Sequence, residues 1–143
     1  MTNHMKTEFE AKDQNVSFAR IVAAAFIARL DPTVDEAEDV KVAVSEAVTN
    51  AIVHGYDGEE GSIVMEAFSY GKTLMISIKD LGKGIEDVEK AREPLFTTRP
   101  EEERSGLGFT VMESFMDSLH IDSKVGGGTV VTMTKRIGCA ENE

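Results

Sequence analysis

Four short stretches hold residue types that could do chemistry together. In SEAVTNAIVHG, residues 45–55, Glu46 and Asn50 stand four apart. On a helix that spacing projects both side chains to one side. A carboxylate there can accept a proton or order a nucleophile. An amide oxygen can hold a hard cation beside phosphate oxygens. Taken alone, the pair reads as an ordinary solvated helix face. In D-L-G-K-G, residues 80–84, Asp80 can accept a hydrogen bond from an exocyclic amine, while Gly82 and Gly84 allow a sharp turn and close approach to a flat ligand. In R-S-G-L-G, residues 104–108, Gly106 and Gly108 clear the start of a helix, where backbone N–H groups favour an anion. Arg104 adds charge there, and Thr97, Thr98 and Ser105 add hydroxyls able to reach a terminal phosphate. G-G-G-T, residues 126–129, ends in Thr129 and by itself is only a hairpin turn.

The elements that must position these groups are visible as periodicities. Residues 6–10 can form a short edge strand. Over 15–30, Ala19, Val22, Ala23, Phe26 and Leu30 fall on one helical stripe, which Asp31-Pro32 stops. Thr33 and Glu36 have capping-box spacing ahead of a long helix, whose buried stripe is Val40, Val44, Ala47, Val48 and Ala51 and whose stop is Gly55. Residues 62–69 and 73–80 read as strands joined at Tyr70-Gly71-Lys72. In the second, Leu74, Ile76 and Ile78 alternate cleanly with Met75, Ser77 and Lys79. A short helix covers 86–92, a helix covers 108–118, and strands at 119–124 and 129–136 close the chain. Residues 93–108 are long and non-periodic, as expected of a lid or binding loop. The order predicts one α+β domain over 1–143: a two-layer sandwich with helices on one face of a mixed, mostly antiparallel sheet.

Composition narrows the function classes. The 143 residues carry a net charge of −11, which argues against a nucleic-acid backbone or an anionic membrane surface as partner. A cation would be useful if the ligand is a polyphosphate. The single cysteine, Cys139, precludes a disulfide framework within the chain and fits a reducing compartment. The N-terminal MTNHMKTEFEAKDQ lacks the apolar core of a signal peptide, and no apolar run reaches transmembrane length. A cytoplasmic protein is expected.

The succession of the four stretches resembles the ATP-binding domain shared by gyrase, Hsp90, histidine kinases and MutL. The resemblance implies a Bergerat-type fold and a Mg²⁺-ATP/ADP site, with Asn50 as the Mg²⁺ ligand and Asp80 on the adenine amine. It also places Gly82 and Gly84 in the adenine turn, Gly106 and Gly108 at the glycine-rich end of an ATP lid, and Thr129 near the adenine. The stretches SEAVTNAIVHGY, EPLFTTRPEEERSGLGFTVMESFMD and GGGTVV, with SFAR at 17–20 and LDPT at 30–33, are similar to the small bacterial anti-sigma factors that are also serine-protein kinases, the anti-sigma-F group of sporulating bacteria in particular. Leu81 departs from them, standing where related sequences often carry a polar residue. The likeness implies a homodimer that binds a sigma factor and phosphorylates a serine of an anti-anti-sigma protein. Glu46 would be the general base, and Arg20, on the first helix and away from the nucleotide motifs, would lie on the partner surface. A non-catalytic, nucleotide-gated sigma-binding module and the general-stress anti-sigma kinase remain alternatives. Glu46 speaks against the first, because a pure binder has no use for a base.

Two other patterns fail on their own terms. Gly71-Lys72-Thr73 imitates the end of a P-loop, but position 66 is Glu where glycine is needed, and the flanking order is not strand then helix. A histidine kinase needs a phosphoacceptor His in a helical hairpin, which His4, His54 and His120 do not occupy. His54 is expected to cap or pack the end of its helix.

Overall fold

Strand alternation accounts for most of the architecture. The computed structural model describes residues 2–92 and 108–138. Five strands, β1 (Thr2–Glu10), β2 (Ser62–Tyr70), β3 (Thr73–Asp80), β4 (Ser118–Lys124) and β5 (Gly128–Arg136), form one sheet in the order β1-β2-β3-β5-β4. All four ladders are antiparallel. On β2 and β3 alternate residues are buried: Ile63, Met65 and Ala67 on one, Leu74, Ile76 and Ile78 on the other. One face is therefore covered and the other faces solvent. The register carries this row of buried residues across the sheet, pairing Met65 with Ile78, Ile78 with Val131, and Val131 with Ile121.

The covering layer is helical. α1 (Gln14–Ile27) packs on α2 (Val34–Asn50), and α2 packs on α4 (Gly108–Phe115); the single turn α3 (Val88–Ala91) lies between β3 and α4. α2 begins with the expected capping box: Thr33 Oγ1 accepts from Glu36 N at 3.0 Å, and Glu36 Oε1 accepts from Thr33 N at 2.9 Å. Val40, Val44 and Val48 are fully buried on its inner side. Each such side chain contributes about 1.5–3 kcal/mol relative to exposure.

Several boundaries differ from those expected. β1 begins at Thr2 rather than residue 6, because it is the sheet edge and pairs through backbone groups without an apolar stripe in its first half. α1 stops at Ile27, and a 3₁₀ turn at Ala28–Leu30 leads to Asp31 in the left-handed conformation (φ 61°). α4 ends at Phe115, three residues early, because Asp117 N turns to the Thr134 carbonyl and leads into β4. α2 leaves regular α-geometry at Asn50, and Ala51–Gly55 form a π-helical turn. Such turns are frequent at functional sites. Lys72, the lysine of the false P-loop, donates to the Leu30 carbonyl at 2.6 Å and ties the β2–β3 turn to the end of α1.

A candidate nucleotide site between α2 and the sheet

The buried row of β3 does not stop at Ile78. Asp80 has the same parity, so the pleat turns its carboxylate towards the helical layer. The residue is 5% exposed. Its partner across the ladder is Thr129, also buried, and Thr129 in turn pairs with Ser123. Two polar residues and a serine thus continue the apolar row at one end of the sheet. Ser123 Oγ lies 2.7 Å from Thr129 Oγ1, accepts from Ile85 N at 2.8 Å and donates to the Gly128 carbonyl at 3.1 Å. Asp80 Oδ1 accepts from Gly82 N at 2.8 Å. Burial pushes the Asp80 carboxyl above its ordinary range, and the backbone N–H groups of Gly82 and Thr129 pull it part of the way back.

The turn after Asp80 is pressed against the end of α2. Lys83 N donates to the Gly55 carbonyl at 2.8 Å. A side-chain carbon at Gly82 would fall 2.0 Å from the same oxygen, so only glycine fits. Gly84 has φ +79°, where an L-residue is strained.

Asn50, the last residue of α2, is 9% exposed. Its Oδ1 is buried and accepts no hydrogen bond among the described residues. A buried acceptor without a partner is costly, on the order of 1–3 kcal/mol, so the position calls for a ligand. A carbon added at Gly108, the first residue of α4, would lie 2.9 Å from Asn50 Nδ2. Glycine there lets the α4 N-terminus approach the amide closely. Glu46 sits one turn earlier on α2, half-buried.

Asn50 and Asp80 line one cleft of about 820 Å³. Ala47, Ala51, Ile78 and Val131 supply apolar wall, and Phe109 contributes from α4. The size and the apolar lining with few polar groups suit a small-molecule ligand. Glu46 lies outside this wall as formed by the described residues. Five polar groups not expected at the site line it as well: His54, on the π turn, and Lys83, Glu86, Asp87 and Lys90. His54 was expected only to cap or pack its helix; it stands seven residues after Ala47 and four after Asn50, on the face that lines the cleft.

Residues 9–135 match the histidine kinase-like ATPase domain. The chain belongs to this ATPase family. It also belongs with the anti-sigma F factors: it is 59% identical over 137 residues to the anti-sigma F factor of Thermoanaerobacter sp. (strain X514), covering 96% of each chain. The anti-sigma F factor of Anoxybacillus flavithermus is 54% identical, with 96% of this chain and 94% of that one covered. That of Clostridium acetobutylicum is 51% identical over 99% of both. Among solved structures, the RsbU and RsbW domains of Rv1364c from Mycobacterium tuberculosis align with a TM-score of 0.69 at 22% identity, over 94% of this chain and 32% of that one. The catalytic domain of the histidine kinase ThkA aligns with a TM-score of 0.60 at 17% identity, over 93% and 96%. These two likenesses concern the fold. It is the expected Bergerat-type arrangement, and membership of the ATPase family implies that the chain binds a nucleotide.

Apart from Glu46, which lies outside the wall, the expected residues divide into three groups. Asn50, Asp80, Gly82, Gly84, Gly108 and Thr129 come together around the cleft or its supporting turns. Thr97, Thr98, Arg104, Ser105 and Gly106 lie outside the described residues, as do most of the expected lid and Cys139. Arg20 is not remote from the nucleotide motifs, as the sequence suggested. Its guanidinium donates to Ser45 Oγ at 3.3 Å, one residue before Glu46, because α1 packs directly on α2. No helix among the described residues is long and apolar enough to cross a membrane.

Proposed function

We propose that this chain is an anti-sigma factor of the sporulation type that is also an ATP-dependent serine-protein kinase. It holds a sigma factor away from RNA polymerase, and it phosphorylates a serine of a small anti-anti-sigma protein. One observation carries the nucleotide part of this reading: Asn50, whose buried Oδ1 has no partner among the described residues, lines the same cleft as the buried Asp80. The distribution suits a ligand with a base at one end and a charged tail at the other. Relatives named anti-sigma F factors at 51–59% identity support the sigma-factor part and favour sporulation over general stress.

In this mechanism Asp80 accepts the hydrogen bond of the adenine amine, and Thr129 supports it from the neighbouring strand. Ala47, Ala51, Ile78 and Val131 exclude water from the base. Asn50 Oδ1 fits a hard cation, since it is an oxygen donor held without another partner among the described residues. A Mg²⁺ ion bound there would neutralise phosphate charge next to an acidic chain. Glu46 takes the proton from the substrate serine as the serine oxygen bonds to the γ-phosphorus. The bond from that phosphorus to the β–γ bridging oxygen breaks, and ADP leaves. Such transfer rests mainly on positioning and charge stabilisation. The homodimer and the cytoplasmic setting shared with RNA polymerase belong to the same proposal.

The test is to mix the protein with Mg²⁺ and γ-labelled ATP in the presence of candidate anti-anti-sigma proteins. Label on serine of one of them is expected. Sigma binding with no phosphoserine on any candidate would leave a nucleotide-gated binding module instead.

A further inference from the structure

Tyr56 follows the π turn and belongs to none of the four chemical stretches. Its half-buried side chain nevertheless meets the adenine turn. The phenol oxygen accepts from Leu81 N at 2.8 Å and donates to the Ser62 carbonyl at 2.6 Å. Its backbone N–H donates to the Ala51 carbonyl at 2.9 Å, closing the π turn. The ring is held in place by the loop returning to β2: a side-chain carbon at Gly61 would fall 2.3 Å from its Cε1.

Around Asp80 the consequence is specific. Three successive N–H groups are fixed: Leu81 by Tyr56 Oη, Gly82 by Asp80 Oδ1, and Lys83 by the Gly55 carbonyl. Two of the three acceptors come from Gly55 and Tyr56, at the end of the π turn that follows α2. The Leu81 side chain is 68% exposed and makes no core contact that could hold this backbone. The phenol bonds the Leu81 N–H, and Gly128 packs against the Leu81 Cα, which lies 2.8 Å from where a side-chain carbon at Gly128 would stand.

We propose that Tyr56 is a positioning residue for base recognition. It uses the π turn after α2 as a template that holds the Asp80 carboxylate at the angle required by the base's amine. It does not touch the nucleotide; it acts through Asp80. The inference rests on Asp80 being the acceptor for that amine.

The experiment compares binding of ADP and of purine riboside diphosphate, the same nucleotide without the 6-amine, by calorimetry. Wild type should prefer ADP. Tyr56→Phe keeps the ring but removes the acceptor for Leu81 and the donor for Ser62. It should weaken ADP binding by about threefold to tenfold, the effect of one or two ordinary hydrogen bonds. Binding of the analogue should change much less, and Tyr56→Phe should cost little when added to Asp80→Asn. An equal loss on both nucleotides, or an unchanged preference for ADP, would overturn the proposal. Wild-type amide exchange gives a second reading that needs no variant. Leu81 N–H should exchange slowly despite its exposed side chain, and free exchange at Leu81 would overturn the proposal equally. A wild type that binds both nucleotides alike would instead remove the reading of Asp80 on which the inference stands.

Discussion

The two ends of the cleft are built on opposite plans. At the sheet end, Asp80, Thr129 and Ser123 are all tied to backbone groups or to each other, and the turn beyond them is fixed N–H by N–H. At the α2 end, Asn50 is buried with an oxygen that no described residue satisfies, against a glycine that opens α4. A base is a rigid, neutral ligand and is recognised by a preformed edge. A polyphosphate with its cation brings charge, and the protein there leaves an acceptor for it. Under the proposed function, selectivity falls at one end and charge handling at the other.

The largest effect should come from Glu46, one turn before Asn50 on α2. Glu46→Gln should lower serine phosphorylation by ~10²–10⁴, the usual contribution of a general base. ATP and sigma-factor binding should remain, as checked by calorimetry and pull-down. Unchanged turnover would detach Glu46 from the chemistry.

At the sheet end, Asp80→Asn should cost about tenfold to a hundredfold in ATP affinity, as for a hydrogen bond to a charged group, and should reduce the preference for adenine over guanine nucleotides. Equal ATP affinity would remove Asp80 from the site. The raised carboxyl pKa adds a pH signature. The folded protein keeps a proton on Asp80 at pH values where the unfolded chain has lost it. The associated stability is complete below the unfolded value and is lost as pH rises through the folded value. Denaturant titrations should show this slope in wild type and not in Asp80→Asn. ATP affinity should move the other way, falling as the pH drops through the raised value and the acceptor is protonated.

A smaller effect is expected at Arg20, outside the cleft. Arg20→Ala should weaken partner binding by about fivefold or more, as for a contributing interface arginine. It also deletes a hydrogen bond to Ser45, beside Glu46, so kcat can fall slightly while nucleotide affinity holds. Retention of both partners at full strength in pull-downs would place the partner surface elsewhere.

Much of this was legible in the sequence because it follows from period and order. Leu74, Ile76 and Ile78 fix the parity that buries Asp80. Thr33 and Glu36 announce the start of α2. Other features leave no period to read. Tyr56 acts through one phenol oxygen on two backbone groups distant in sequence. The π turn of Ala51–Gly55 continues a helical pattern without a break in residue type. Arg20 looked remote because sequence distance hides the packing of α1 on α2. The first residues of β1 are mostly polar, and their pairing comes from the β2 backbone rather than from a hydrophobic stripe.

Under the proposed function a cation and phosphates are handled at Asn50 while the base is held independently at Asp80. Calorimetric titration of ATP into wild type and Asn50→Ala, each with and without Mg²⁺, tests it most directly. Wild type should bind ATP more tightly with Mg²⁺. Asn50→Ala should lose that increment, about tenfold to a hundredfold for an interaction with a charged group, and should still bind adenosine as wild type does. An Asn50→Ala protein whose ATP affinity rises with Mg²⁺ as much as that of wild type would contradict the account.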